Sequence, residues 1–345
     1  MTPTVFPPYV VIDPGDRPDV DIPRGTRFVW NVKDLSLSIE NKVTPELLTE
    51  LVETGALQGI QALSVPEWCI TMTGLPDLPD AVTQTLKRVS INSSKFVDWS
   101  GLYALTHLES LRVDDKVQVL PDGIGGLTSL RELTIRGKRI KQLPSDLGTL
   151  PSLERLTVVS SPIAALPDDL GQLPLTHLTL DWTKKLKTLP DSLASCTTLK
   201  ELRTEHVPLK TLPEGIYTLE GLEVLELDTA KLSKLGQRIH WPALKRLTLS
   251  GTFRSWPSDI QMPALEELTV QFGARIKQIP NIAHPGLKHV FVFAPLEHID
   301  PQLASIQGWM QGRMRMGLKA QCTQAAWDAL TPEQQDAFGD RLQVV

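Results

Sequence analysis

Aromatic residues are scarce in this chain: eight Trp, eight Phe and three Tyr make up 6% of its 345 residues. A core of ordinary size must therefore be built from aliphatic side chains, and 27 prolines interrupt the chain too often for long helices. Cysteine is rarer still. Cys69, Cys196 and Cys322 are too few and too scattered for a disulfide framework or a zinc site. Cys196, in "DSLASCTTL", stands where neighbouring stretches carry an apolar residue, and it reads as a buried thiol. Positive charge is not in excess: 35 Lys and Arg against 40 Asp and Glu leave a net charge of −5. No general basic field draws the chain to nucleic acid or to an anionic membrane. No run approaches the ~18 consecutive apolar residues of a membrane span. The opening "MTPTVFPPYVVIDPGDRP" lacks the basic start and apolar core of a secretory signal, so reduced cytosol is the expected compartment.

Catalytic signatures are missing too. The sequence has no HExxH, GxxxxGK[ST], GxSxG or CxxC. "DGIGGLTSL" is glycine-rich but falls in a repeat turn, and His177 and His206 lack a third partner for a metal. No cofactor, no metal and no enzymatic activity are expected.

What the chain has is a repeat. LxxLxL or a close variant recurs as "LESLRV", "LRELTI", "LERLTV", "LTHLTL" and "LEVLEL", opening at Leu86, Leu108, Leu130, Leu153, Leu175, Leu199, Leu222, Leu244, Leu265 and Leu287. The step is 21 to 24 residues. A second landmark, "LP" at Leu120, Leu143, Leu166, Leu189 and Leu212, steps by 23, and Leu235, Trp256 and Ile279 continue it in degraded form. The last two apolar positions of LxxLxL alternate with a polar one, as in a short strand with one buried face. Successive copies are expected to pair as parallel strands. Proline then turns the chain away, and "xxLGxL" brings two more leucines inward through a short helical turn. No copy buries its leucines alone; stacking closes the core.

The flanks vary this theme. "VKDLSLSI" and "GIQALSV" alternate like strands, and "TPELLTELVETGAL" between them predicts a helix capped by Thr44 with Pro45 first. Residues 1–30 read as an N-terminal arm or cap, 31–294 as the repeat array (about ten regular repeats from Leu86), and 295–345 as a helical C-terminal cap. In that cap, "IDPQLASIQGWMQGRMRMGLKAQ" and "TQAAWDALTPEQQDAF" read as short helices, and Thr331, Pro332 and Gln334 form a capping box. Arg313, Arg315 and Lys319, interleaved with Met310, Met314 and Met316, fit an amphipathic cap helix.

Stretches such as "LRELTIRGKRIKQLPSDLGTLPS" resemble the 22–24-residue leucine-rich repeat family, and the "LPxxLGxLxxLxxLxL" form is most similar to bacterial type III effector repeats and plant intracellular repeats. The resemblance covers about 86–292 closely and 32–85 loosely. It implies an α/β repeat fold: a leucine-rich repeat solenoid, a curved arc with a parallel β-sheet on its concave face, short helical or irregular convex segments and a helical cap. One departure is plain. Where the family has a buried asparagine or cysteine, this chain has Lys138, Ser161, Val207 and Ala230, so serine, threonine, water or main-chain contacts must satisfy those turns.

The resemblance implies a non-enzymatic protein–protein recognition module, a monomer that binds a protein partner on its concave face without nucleic acid or a membrane span. Its context would be a bacterial effector acting on a host protein after export without a hydrophobic signal. The alternative it implies is the substrate-recognition part of a ubiquitin ligase. The cysteines, in "WCIT", "SCTT" and "QCTQ", do not fit the Cys-x-Asp nucleophile of some such ligases.

Candidate binding residues come from columns of exposed positions. The fifth position is threonine-rich, which suits an exposed strand. The seventh and eighth positions hold Arg136, Asp181, Trp182, Glu205, His206 and Asp228, with Arg203 beside them in the fifth. An exposed Trp among Arg, His and acids has the composition of a binding hot spot; the plainer alternative is a solvated face whose Trp folds onto a neighbouring turn. Phe272, with Phe291 and Phe293, marks a second candidate at the C-terminal end of the face, where packing against the cap competes with binding.

Overall fold

The computed structural model of the chain describes residues 10–12, 27–31, 36–40, 59–65, 73–229, 231–270, 276–278, 286–292, 296–298, 301, 308–309, 320–339 and 342–344. The chain divides into two compact units, Met1–Pro174 and Leu175–Val345.

In the first unit, β1 (Val10–Ile12) and β2 (Arg27–Asn31) pair antiparallel, and β2 pairs antiparallel with β3 (Ser36–Glu40). Part of the segment expected as an arm is therefore strand. From β3 onward the pairing is parallel, through β4 (Ala62–Val65), β5 (Arg88–Ile91), β6 (Ser110–Val113), β7 (Glu132–Arg136) and β8 (Arg155–Val159). The register matches the motif position by position: Leu111 opposes Leu133, and Leu133 opposes Leu156. Short helices α1 (Asp80–Thr83) and α2 (Ser100–Tyr103) precede strands β5 and β6. The helix expected over 44–57 lies outside the described residues.

The second unit continues the pattern with β9 (His177–Asp181), β10 (Glu201–Glu205) and β11 (Val224–Thr229), all parallel. Next come β12 (Arg238–His240), β13 (Arg246–Gly251), β14 (Asp259–Gln261), β15 (Glu267–Val270) and β16 (His289–Val292). Strands β13, β15 and β16 extend the β9–β11 sheet, while β12 and β14 form a separate parallel pair. The other side of the repeats carries single 3-10 turns, as expected, at Ile124–Gly126, Leu147–Thr149 and Leu170–Gln172 in the first unit and at Asp191–Ser195 and Glu214–Thr218 in the second. The β12–β14 pair replaces that turn in the copies of Leu235 and Trp256, two of the three whose "LP" is degraded. There Trp241, fully buried, donates its indole N–H to the Ile216 carbonyl at 2.7 Å.

The tail has the two short helices read from "TQAAWDALTPEQQDAF" and adds strands to them. Gly308–Trp309 (β17) pairs parallel with β16, and Ala320–Cys322 (β18) pairs parallel with Leu342–Val344 (β19). An unpaired edge of β16 would leave main-chain groups to satisfy, and β17 does this where a helix would not. Helices α3 (Gln324–Asp328) and α4 (Pro332–Phe338) lie between β18 and β19, and α4 has the capping box read from Thr331 and Gln334. The basic and methionine-rich stretch 310–319 lies outside the described residues.

The core is leucine stacked on leucine. Strand positions four and six are buried in both units, from Leu111 and Val113 to Val290 and Val292. Thr204 takes one such inward position and offers its hydroxyl to the Glu226 carbonyl at 3.4 Å. Cys196 is buried, as expected, with Sγ 3.5 Å from the Leu175 carbonyl. At the turn lacking the family's asparagine, buried Ser161 donates to the Ile140 carbonyl at 2.8 Å, so serine does take over there.

Polar contacts also set the order of repeats. Asp146 Oδ2 accepts the amides of Gly123 and Gly125, one repeat back, each at 2.9 Å. Gly123 has φ 114°, which a side chain would resist. The second motif position alternates in sign from copy to copy. It reads Lys87, Glu109, Arg131, Glu154 in the first unit and, after the uncharged Thr176, Lys200, Glu223, Lys245, Glu266, Lys288 in the second. Opposite charges face each other across neighbouring strands, as in Lys87–Glu109 at 3.0 Å, Arg131–Glu154, Lys245–Glu223 at 2.6 Å and Lys288–Glu266 at 2.8 Å.

Candidate functional site

Strand alternation dictates where the motif's eighth residue points. Positions four and six face the core and five and seven face out, so a strand that runs on turns its eighth residue inward. In β11 it does: Thr229 stays in the ladder opposite Gly251 and is fully buried. In the two preceding copies the strand stops one residue sooner, and the eighth residue adopts a left-handed backbone, Trp182 with φ 55° and His206 with φ 55°. That turn reverses the alternation. The ninth residues, Thr183 and Val207, are buried instead, and the Trp182 and His206 side chains are exposed. A left-handed non-glycine residue costs about 1–2 kcal/mol.

The two exposed rings lie on one another. Their centroids are 4.1 Å apart and their planes 10° off parallel. The Trp182 amide donates to the Glu205 carbonyl at 2.7 Å, which locks the two turns together. Lys184 places its ammonium 5.3 Å from the Trp182 ring centroid, within cation–π range. Trp182 is 42% exposed, one of three large apolar side chains exposed among the described residues.

Carboxylates surround the stack. His206 Nδ1 lies 3.5 Å from Glu205 Oε1 and 3.5 Å from Asp228 Oδ2. Ser250 donates to Asp228 Oδ1 at 3.0 Å. Asp181 opposes Glu205 in register. Burial, reinforced by the charge of Glu205, pushes the Asp181 carboxyl above its ordinary range. Arg203 is held by acids on both sides, with Nε 2.5 Å from Glu201 and Nη1 2.9 Å from Glu226. Desolvation pulls its guanidinium down, but those two carboxylates outweigh it and hold the group above its usual value.

The structure therefore brings Asp181, Trp182, Arg203, Glu205, His206 and Asp228 together on three adjacent strands. It does not add Arg136, which is exposed at the end of β7 in the other unit, opposite Val159. Phe272 and Phe293 lie outside the described residues; Phe291 is on β16, its ring parallel to that of His289 at 6.1 Å. Column reading missed Glu201, Glu226 and Lys184. Glu201 and Glu226 flank Arg203 at a two-residue step and in the next copy, a spacing that could have signalled the clamp. Lys184 follows the turn, and only the left-handed backbone puts it over the ring.

The described cysteines offer no nucleophile. Burial raises the thiols of Cys196 and Cys322, and both are enclosed. Among the described residues no group of three His, Cys, Asp or Glu side chains could hold a metal ion, and no helix is long and apolar enough to cross a membrane.

No family model matches the chain, and no curated protein matches it. Solved structures do. The glycosylated form of the Drosophila Toll–Spatzle complex is 17% identical with a TM-score of 0.59, covering 81% of this chain and 43% of that one. The Arabidopsis receptor kinase HAESA, in complex with the peptide hormone IDA and the co-receptor SERK1, is 18% identical with a TM-score of 0.50, covering 70% and 44%. The leucine-rich repeat domain of the type III effector XopL is 25% identical over 52% of this chain and 64% of that one, with a TM-score of 0.42. The chain spans less than half the length of the Toll and HAESA chains it matches. Repeat spacing, strand order and the Toll and HAESA neighbours agree that the chain has the fold of the leucine-rich repeat proteins.

Proposed function

We propose that the chain is a non-enzymatic recognition module that binds a protein partner on the outward face of the sheet in the unit Leu175–Val345. That face is the concave one in folds of this kind. One observation carries the reading: Trp182 and His206 stack in the open, each held out by a left-handed turn that the next copy avoids at Thr229. Ser160, at the same motif position in the other unit, has the same left-handed backbone with φ 52°, so the turn recurs in the repeat and the exposed aromatic pair is what sets these two copies apart. A rigid aromatic platform ringed by Asp181, Glu205 and Asp228 suits a partner that presents a basic side chain on an apolar base. The preformed stack avoids the cost of ordering a loop on binding.

A monomeric bacterial effector acting on a host protein is the context we favour. The support is the form of the repeat, and the site itself is silent on it. No observation at the site favours the ligase reading. The test is affinity capture from candidate host cytosol with the wild-type chain and with Trp182→Ala and His206→Ala. A partner retained equally by all three chains would sink the proposal.

A further inference from the structure

The first unit has a second surface of opposite character. The run 136–141, "RGKRIK", holds four cations in six residues of a chain whose net charge is −5. Ile140 is fully buried, which anchors the run and leaves Lys138, Arg139 and Lys141 exposed on either side of it. These three line a groove of about 940 Å³ between residues 118–122 of one copy and 138–144 of the next. The groove also presents the amides of Gln118 and Gln142 and the side chain of Val119, which is 62% exposed.

No described carboxylate pairs directly with these cations. Asp122 also lines the groove, but its Oδ1 already accepts from the Ser145 amide at 2.6 Å and hydroxyl at 3.1 Å. Among the described residues Lys138, Arg139 and Lys141 make no ion pair, whereas the cations Lys87 and Arg131 of the same unit each face a glutamate.

We propose that this groove takes an extended acidic segment of a protein partner, at a site separate from the Trp182–His206 stack. Charge complementarity supplies the first argument. The second is that the cations follow one another along the chain, so they match a row of carboxylates better than a single phosphate. The glutamine amides can pair with a peptide main chain, and Val119 offers an aliphatic contact. The lining has no aromatic ring on which a nucleic-acid base could stack.

The test uses the full chain and a fluorescein-labelled peptide, Glu-Glu-Asp-Leu-Glu-Asp-Glu, followed by anisotropy at physiological salt. Combined Lys138→Glu, Arg139→Glu and Lys141→Glu should weaken binding by roughly tenfold or more. The same charge change at cations outside the groove lining, Lys185→Glu, Lys187→Glu and Lys210→Glu, should weaken it less than about twofold, because direct contact with the segment and not the net charge of the chain carries the binding. Val119→Glu alone should also weaken binding, with an unchanged melting temperature. Equal losses from both triple variants, no binding by the wild type, or tighter binding of a single-stranded oligonucleotide of matched charge would each overturn the proposal. Losing the partner captured through Trp182 leaves this result untouched, so the two sites fail or stand separately.

Discussion

Trp182 and His206 occupy the same place in successive repeats, share a φ of 55° and stack at 4.1 Å. The shared backbone is the cause and the stack is its consequence: two turns of one hand, one strand apart, lay their side chains flat in the same direction. A stacked aromatic pair contributes about 0.5–1.5 kcal/mol beyond its buried area. The two left-handed residues cost about 2–4 kcal/mol together, so the stack offsets only part of that cost and the arrangement is a net expense to folding.

A glycine at position 182 should therefore be better tolerated than an alanine. Both remove the stack, but glycine enters the left-handed region without a Cβ penalty. After allowing for its extra freedom in the unfolded chain, Trp182→Gly should be more stable than Trp182→Ala by about 1 kcal/mol. Urea melts of the two variants check this, and the reverse order would contradict the backbone described here.

The same turn leaves a cost behind it. Thr183 is fully buried and its hydroxyl has no hydrogen-bond partner among the described residues. Thr183→Val keeps the shape and removes the orphaned group, so it should stabilise the chain by about 1 kcal/mol, read as a higher denaturant midpoint at unchanged slope. Binding at the neighbouring stack should be unaffected.

How much of this was legible in the sequence depends on which physical quantity each feature reports. Two registers of leucine, LxxLxL and LP, state both the strand and the turn, and the strand order follows from their order. Position eight is different. Trp182, His206 and Thr229 fall in one column, yet two are exposed and one is buried, because the sign of φ decides and neither a tryptophan nor a histidine announces it as glycine would. Arg203 was read from its exposed column as a hot-spot cation; the structure clamps it between Glu201 of its own strand and Glu226 of the next. Strand β17 answers the need of a sheet edge, and a local pattern does not carry that information.

Asp181 should show the conflict between stability and function directly. Its carboxyl is raised, chiefly by burial, so the folded state holds its proton more tightly than the unfolded chain does. Stability from this group is then present below the unfolded value of 3.8 and is lost as pH rises through the higher folded value. Asp181→Asn should raise the melting temperature slightly at pH 7 and leave it nearly unchanged at pH 3. The same change should weaken partner binding at pH 7 if the acids around the stack receive a basic side chain. Calorimetry at the two pH values and capture with the variant separate the effects.

The charge ladder predicts the opposite dependence on pH. Hydrogen bonds from Lys245 and Lys288 hold Glu223 and Glu266 below their ordinary 4.5, so the stability they contribute is present above that value and is lost as pH falls through the lower folded values. Reversing one rung shows whether the alternation matters. Glu223→Lys would set three lysines in a row, at 200, 223 and 245, and replace the 2.6 Å pair with two repulsions. The melting temperature should fall by roughly 1–3 °C at low salt, and most of that loss should be recovered at 1 M salt, where screening is about 3 Å. Glu223→Gln should sit between the two and show a flatter response to acid. A loss that ignores salt would mean that the reversal harms packing rather than charge. Because the ladder is exposed, its contribution is small beside the leucine core. Its value lies in discrimination: strands that differ little in their inward leucines differ in sign on the outside, so a strand displaced by one repeat would meet its own charge across the ladder.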